Sequence, residues 1–219
     1  PAFAVGRTQE VLYHLSMLHA AGRLPQQKVF LDSPMAIEVT ELYDRRRDLL
    51  DANDLSDLGP ESGHALEQAL PQLQFSRDVE DSRAINRIEG GAIIIAGSGM
   101  CTGGRIRHHF KYNLWRRRNH VIIVGFQAKG TLGRMLVDGV RRVKLFGEQI
   151  AIKAQIHTLG GFSAHAGQSQ LLEWASSFRD HPDFYLVHGE PEARDALAEA
   201  LADAGLRARC AEYKQTIDL

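Results

Sequence analysis

Two cysteines in 219 residues, Cys101 and Cys210, are too few for a disulfide framework. Their scarcity excludes a small disulfide-stapled scaffold and fits a reducing cytoplasm. Long apolar runs are also missing. The stretches Gly91-Ala-Ile-Ile-Ile-Ala96 and Val121-Ile-Ile-Val124 fall well short of the roughly 20 residues a membrane helix needs, so no membrane partner is expected. The opening Pro1-Ala-Phe-Ala-Val5 has no basic start of the kind a secretory leader carries. It has no initiator Met either, and reads as the start of a fragment. There is no internal repeat and no low-complexity linker. Only seven prolines accompany 44% hydrophobic and 24% charged residues, which argues against collagen-like and wholly disordered chains. The length fits one or two domains.

The net charge of −1 conceals a separation of sign. Residues 32–81 hold 13 acids and 4 bases, whereas residues 83–144 hold 13 bases and 2 acids, a net +11. A solvated surface balanced by the acidic stretch is one reading of that basic middle third. A seat for a polyanion such as nucleic acid is the other.

Helical spacing of Val11, Leu12, Leu15 and Leu18 predicts a helix over 7–21, stopped by Gly22. Lys28–Leu31 reads as a buried strand, and Asp32-Ser33-Pro34 as a helix start with proline near the first position. Residues 51–75 read as short helices and loops. A helix over 81–88, a strand over 92–96, a glycine-rich loop, a helix from Arg105 and a strand over 121–124 make a βαβ unit and predict a parallel, helix-covered sheet. Beyond Gly139, residues 143–156 read as a hairpin of alternating strands. A helix over 168–177, a strand over 184–187, a helix over 192–204 and a last strand over 206–213 complete the pattern. The best boundary falls near residue 145.

Two constellations could carry chemistry. The loop Gly97-Ser-Gly-Met-Cys-Thr-Gly-Gly104 follows a strand and opens a helix, where backbone N–H groups and the helix dipole favour an anion. It lacks the Gly-Lys-Ser/Thr of a P-loop, and no acid follows the next strand as in a dinucleotide fold. A phosphate cradle and a ligand-free tight turn both remain open. The second constellation is His165 in Phe162-Ser-Ala-His-Ala166 and His188 in Val187-His-Gly-Glu190. Each stands beside small residues next to a strand end, where an imidazole can ligate a metal, move a proton, or simply pack. Two such histidines are short of the three protein ligands of a catalytic zinc site.

These two segments, together with Phe30-Leu-Asp-Ser-Pro-Met-Ala36 and Gly125-Phe-Gln-Ala-Lys-Gly-Thr-Leu-Gly133, resemble the β-CASP branch of the metallo-β-lactamase superfamily. That branch contains RNA-processing nucleases related to the cleavage-and-polyadenylation endonuclease. The resemblance spans nearly the whole chain with the motifs in order. It implies an α/β fold: residues 1–145 as most of a β-CASP domain with a mainly parallel sheet, and residues 146–219 as the C-terminal segment of a metallo-β-lactamase fold. It implies a zinc-dependent hydrolase acting on RNA, with two zinc ions in the complete enzyme. His165 would then protonate the leaving group and His188 would be a zinc ligand. The glycine-rich loop would line the cleft between domains and hold the RNA backbone through Ser98, Gly99, Thr102, Gly103, Gly104 and Arg105.

Two departures stand out. The family usually carries Asp after Ser-Ala-His-Ala, and this chain has Gly167. The main metal motif, His-x-His-x-Asp-His, is absent, so the chain by itself is expected to be inactive and not to bind both zinc ions. Asp32 and Glu38 are not candidates for the family's acidic motif, which should lie upstream. Residues 146–219 are expected to leave Ile150, Ile152, Ile156, Leu171, Trp174 and Leu186 partly uncovered, favouring a homo-oligomer. The alternative function is a non-catalytic RNA-binding module, and a weaker third reading is a nucleotide-binding structural domain.

Overall fold

Gly6, in the left-handed region at φ 75°, turns the chain into α1 (Arg7–Ala20), whose buried side includes Leu12. The strand β1 (Lys28–Leu31) is buried from Val29 onward. Ser33 then caps α2 (Pro34–Arg45), its hydroxyl accepting from the Ala36 amide, with Pro34 at the first helical position. The structure is a computed structural model, and it describes residues 1–46, 49, 69–162, 165–180 and 182–217.

The remaining elements of the larger unit are β2 (Leu73–Phe75), α3 (Val79–Ile85), β3 (Ala92–Ile95), α4 (Ile106–Asn113), β4 (His120–Ile123), α5 (Leu132–Val137), β5 (Arg142–Leu145), β6 (Glu148–Ala151) and β7 (Gln155–Thr158). A single 3₁₀ turn follows at Gly160–Phe162. The chain divides into two compact units, Pro1–Ser163 and Ala164–Leu219. The smaller one comprises α6 (Gln168–Ser176), β8 (Phe184–Leu186), α7 (Pro191–Asp203) and β9 (Ala208–Cys210). The fold is α/β, and its strand pairs are mostly parallel.

Sheet order in the larger unit is β2-β1-β3, all parallel, with Val29 opposite both Leu73 and Ile93. One apolar cluster, containing Leu12, Val29, Leu31, Ile37, Leu70 and Ile95, packs α1 and α2 against this sheet. A second joins α4, β4, β5 and β6 through Phe110, Leu114, Ile123, Val143, Leu145 and Ile150. In the smaller unit, Leu201, Leu206 and Ala175 form the buried centre.

Three expectations need correction. β3 and β4 do not neighbour one another: β4 pairs in parallel with β7, Val121 opposite Ile156. The backbone carbonyl of Ala96, just past β3, instead accepts from the Ala2 amide at 3.1 Å. The stretch 143–156 is accordingly not one hairpin. β5 and β6 pair antiparallel, but the amides of Lys153 and Ala154 both donate to the Leu114 carbonyl, and β7 departs to join β4. Of the stretch read as short helices and loops, 51–68 lies outside the described residues, and Leu73–Phe75 is a strand. Three residues are too few to display alternation, and pairing with β1 decides the matter.

β6 and β7 lie within the larger compact unit. Ile150 is buried there, with Ile152 and Ile156 packed beside it, so these three do not belong to an uncovered face. Leu186 packs in the smaller unit's centre, while Trp174 is 58% exposed. Among the described residues no helix is long and apolar enough to cross a membrane.

Candidate functional site

The glycine-rich loop leaves β3 and enters α4 at the edge of the sheet where parallel strands end. Its path is fixed internally. The Ser98 amide donates to the Gly103 carbonyl, the Ser98 hydroxyl accepts from the Gly103 amide at 3.1 Å, and the Ile106 amide closes onto the Gly97 carbonyl. Ser98 Oγ and Thr102 Oγ1 stand 3.3 Å apart, so two hydroxyls are adjacent. Gly104 has φ 72°, and a Cβ there would lie 2.2 Å from the Gly97 oxygen. Only glycine fits. No hydrogen bond to another described residue is made by the amides of Thr102, Gly104 or Arg105. Buried Gln127, from the next motif, braces the outside of the loop: its Nε2 donates to the carbonyls of Gly99 and Gly125.

Arg105 is held from below. Its Nη1 donates to Asp32 Oδ1 at 2.7 Å and to the Ser76 carbonyl at 2.8 Å, and its Nη2 to the Arg77 carbonyl at 3.0 Å. Asp32 is fully buried and also accepts, on Oδ2, from Ser82 Oγ and His109 Nε2, each at 2.6 Å. Burial by itself pushes this carboxyl up. The hydrogen bonds from His109, Ser82 and Arg105 outweigh it, and the carboxyl is held below its ordinary value. A carboxylate can only accept, so His109 carries its proton on Nε2.

This buried ion cluster escaped the sequence reading, though a signal for it existed. Asp32 directly follows the buried run of β1, and Arg105 follows the loop after β3. Because β1 and β3 are parallel neighbours, both residues emerge at one edge of the sheet.

Burial raises the Cys101 thiol in the same loop to about 11. It stays protonated and is no nucleophile at neutral pH.

In the smaller unit the structure brings His165 and His188 together. Their rings are 6.4 Å apart between centroids and within 17° of parallel, and both residues are exposed. Gly167 stands at the N-cap of α6 with no side chain to offer. Gln170 reaches back instead, its Oε1 accepting from the Gly167 amide at 2.8 Å. Gly189, at φ 121°, gives the turn that carries His188 from β8 toward α7.

Residues 8–136 match the family described as the Beta-Casp domain, and residues 149–211 match the Zn-dependent metallo-hydrolase RNA specificity domain. The chain belongs to the β-CASP branch of the metallo-β-lactamase superfamily. The chain is 39% identical over 222 residues to Ribonuclease TTHA0252 of Thermus thermophilus, covering 99% of this chain and 48% of that protein. It is 33% identical to Transcription termination factor FttA of Pyrococcus abyssi over 227 residues, all of this chain and 34% of the relative. RNase aCSPSF2 of Saccharolobus solfataricus is 31% identical over 220 residues, 100% of this chain and 40% of that protein. This β-CASP chain thus spans half or less of the length of these relatives.

The metal that the family description implies asks for more donors than the histidine pair supplies. A catalytic zinc takes about three protein ligands. Among the described residues, no three or more His, Cys, Asp or Glu side chains gather into a group that could hold a metal. The two imidazoles do not fit a complete zinc site.

Proposed function

We propose that this β-CASP chain is the RNA-holding part of a metal-dependent ribonuclease, to which it contributes two active-site histidines. The pairing of His165 with His188 carries the reading, since two histidines from separate motifs and separate elements are brought within 6.4 Å. In this proposal the glycine-rich loop binds the RNA backbone. The hydroxyls of Ser98 and Thr102 and the amides of Gly99, Gly104 and Arg105 face the phosphate, while Gly103, its amide given to Ser98, shapes the loop. The guanidinium of Arg105 already serves three acceptors, so its main task is to anchor the loop.

As a water oxygen bonds to phosphorus and releases its proton to solvent, the bond to the departing oxygen breaks and His165 gives that oxygen its ring proton. His188 is one ligand of a zinc site whose other ligands come from outside this sequence. Self-association through the exposed Trp174, and a cytoplasmic setting, belong to the same proposal.

The test uses the longer protein. His165→Ala should lower turnover on RNA about 10²–10⁴-fold with zinc content intact. His188→Ala should lower zinc content as well as turnover. Full zinc in the His188 variant would exchange the two roles.

A non-catalytic RNA-binding module is the second reading, favoured by the lack of a three-donor group among the described residues. Phosphodiester hydrolysis, assayed on this chain and on the longer protein, separates the two.

A further inference from the structure

α4 and the β5–β6 hairpin present a surface that the proposed site does not use. Phe146 and Gly147 are the two central residues of the hairpin turn, and both have positive φ, 49° and 84°. Such a turn favours Asn, Asp or Gly, and a bulky residue with that φ is strained. The turn nonetheless holds an aromatic ring that is 46% exposed. His108 stacks on this ring, centroids 4.4 Å apart at 23°, and the Arg107 guanidinium carbon lies 5.0 Å from its centroid.

Further along the same helix Tyr112 is 44% exposed, and just past it Trp115 is 49% exposed with the Arg116 guanidinium 5.2 Å from its ring. Positions 108 and 112 share one side of α4, and Trp115 stands in the turn just past its end. The hairpin is tied to the helix midway, where Lys111 Nζ meets Glu148 Oε1 at 2.6 Å. That pairing also neutralises a nearby acid. Arg117 and Arg118 stand exposed at the far end.

We infer that this face is a second RNA contact, a row of aromatic platforms with interleaved arginines that stacks the unpaired bases of single-stranded RNA. The inference rests on the RNA reading above. Aromatic rings of this kind take splayed bases and leave a paired duplex alone, and the cations track the backbone between them. A surplus of 13 bases over 2 acids across residues 83–144 matches a polyanion better than an ordinary protein surface.

The experiment is fluorescence anisotropy of a labelled oligouridylate with the purified chain across a salt series. Trp115→Leu and Phe146→Leu should each weaken binding about 5- to 100-fold, leaving the salt slope unchanged. The double variant Arg117→Gln, Arg118→Gln should reduce that slope by about 1.4. Trp115 lies outside the strained turn, so its variant tests the idea even if Phe146→Leu fails to fold. Wild-type affinity in a folded Trp115→Leu protein overturns the inference. If Thr102→Val weakens binding in the same assay, the loop reading survives that failure. A chain that binds no oligouridylate sinks both. Should the aromatic variants change only a monomer–dimer equilibrium in sedimentation, the face is a protein contact and the inference is wrong.

Discussion

Arg105 and Asp32 meet at 2.7 Å although 73 residues separate them in sequence. The contact fastens the start of α4 to the end of β1, and the glycine-rich loop runs from the neighbouring β3 into that anchored start. A fully buried carboxylate with three side-chain donors is therefore part of the loop's foundation rather than its ligand surface.

Removing that charge should be felt in stability. Asp32→Asn leaves a largely covered guanidinium without its counterion, which costs about 3–5 kcal/mol in buried pairs, and the low end applies because the Arg105 side chain is 20% exposed. The carboxyl's folded-state pKa lies below its ordinary value of 3.8, so its stabilisation is complete above that value and is lost as pH falls through the folded-state value. Urea unfolding should show a large gap between wild type and variant at pH 7, nearly the same gap at pH 5, and a closing gap below about pH 4. An equal gap at every pH would mean that the carboxylate's charge contributes nothing.

Gly104→Ala should damage the loop itself. The added methyl carbon sits 2.2 Å from the Gly97 oxygen on a backbone with φ 72°, so the turn must open. A loss of about 1–3 kcal/mol in thermal unfolding is expected, together with weaker binding of RNA. Gly103→Ala meets nothing within 4 Å and should unfold close to wild type. Similar melting of the two variants would contradict the loop geometry.

The two thiols should separate in a reagent titration. Cys101 is fully buried and its pKa is pushed up to about 11 by burial, whereas Cys210 is half-buried, its thiol also raised, by burial and by donating to the Asp195 carboxylate at 3.5 Å. Native protein should give one accessible but slow thiol with an aromatic disulfide reagent, removed by Cys210→Ser and quickened by Asp195→Asn, and a second only on unfolding. Rapid reaction of both in the native state would place Cys101 at the surface.

Much of the architecture was legible because it is local. The period of Val11, Leu12 and Leu15, the Ser33-Pro34 cap and the unbroken apolar run before Gly97 each report on their own neighbourhood, and each element formed close to where they indicated. The same holds for the glycine-rich loop and for the turns that carry His165 and His188. Whatever depended on distant partners was not legible. Nothing in Gln155–Thr158 says that it leaves the hairpin for β4, because either neighbour would cover Ile156 equally well. Gln127 is another case. A polar residue between two glycines reads as surface, yet it is buried, and its amide donates to the carbonyls of Gly99 in the loop and of Gly125 in its own segment.

The strand order also governs how the molecule comes together in time. Among the described residues only β5 and β6 pair across a tight turn; β1 waits for β2 and β3, β4 for β7, and β8 for β9. Each parallel pairing closes a long loop before any contact rewards it, which slows folding relative to helices and hairpins. The helices and the Phe146 turn should thus be the early events, forming on the microsecond scale of local structure. The Asp32–Arg105 contact requires β1 and β3 to be in register, and so belongs among the last steps. Until it forms, the loop has no floor, and the phosphate contact proposed for it has nothing to stand on.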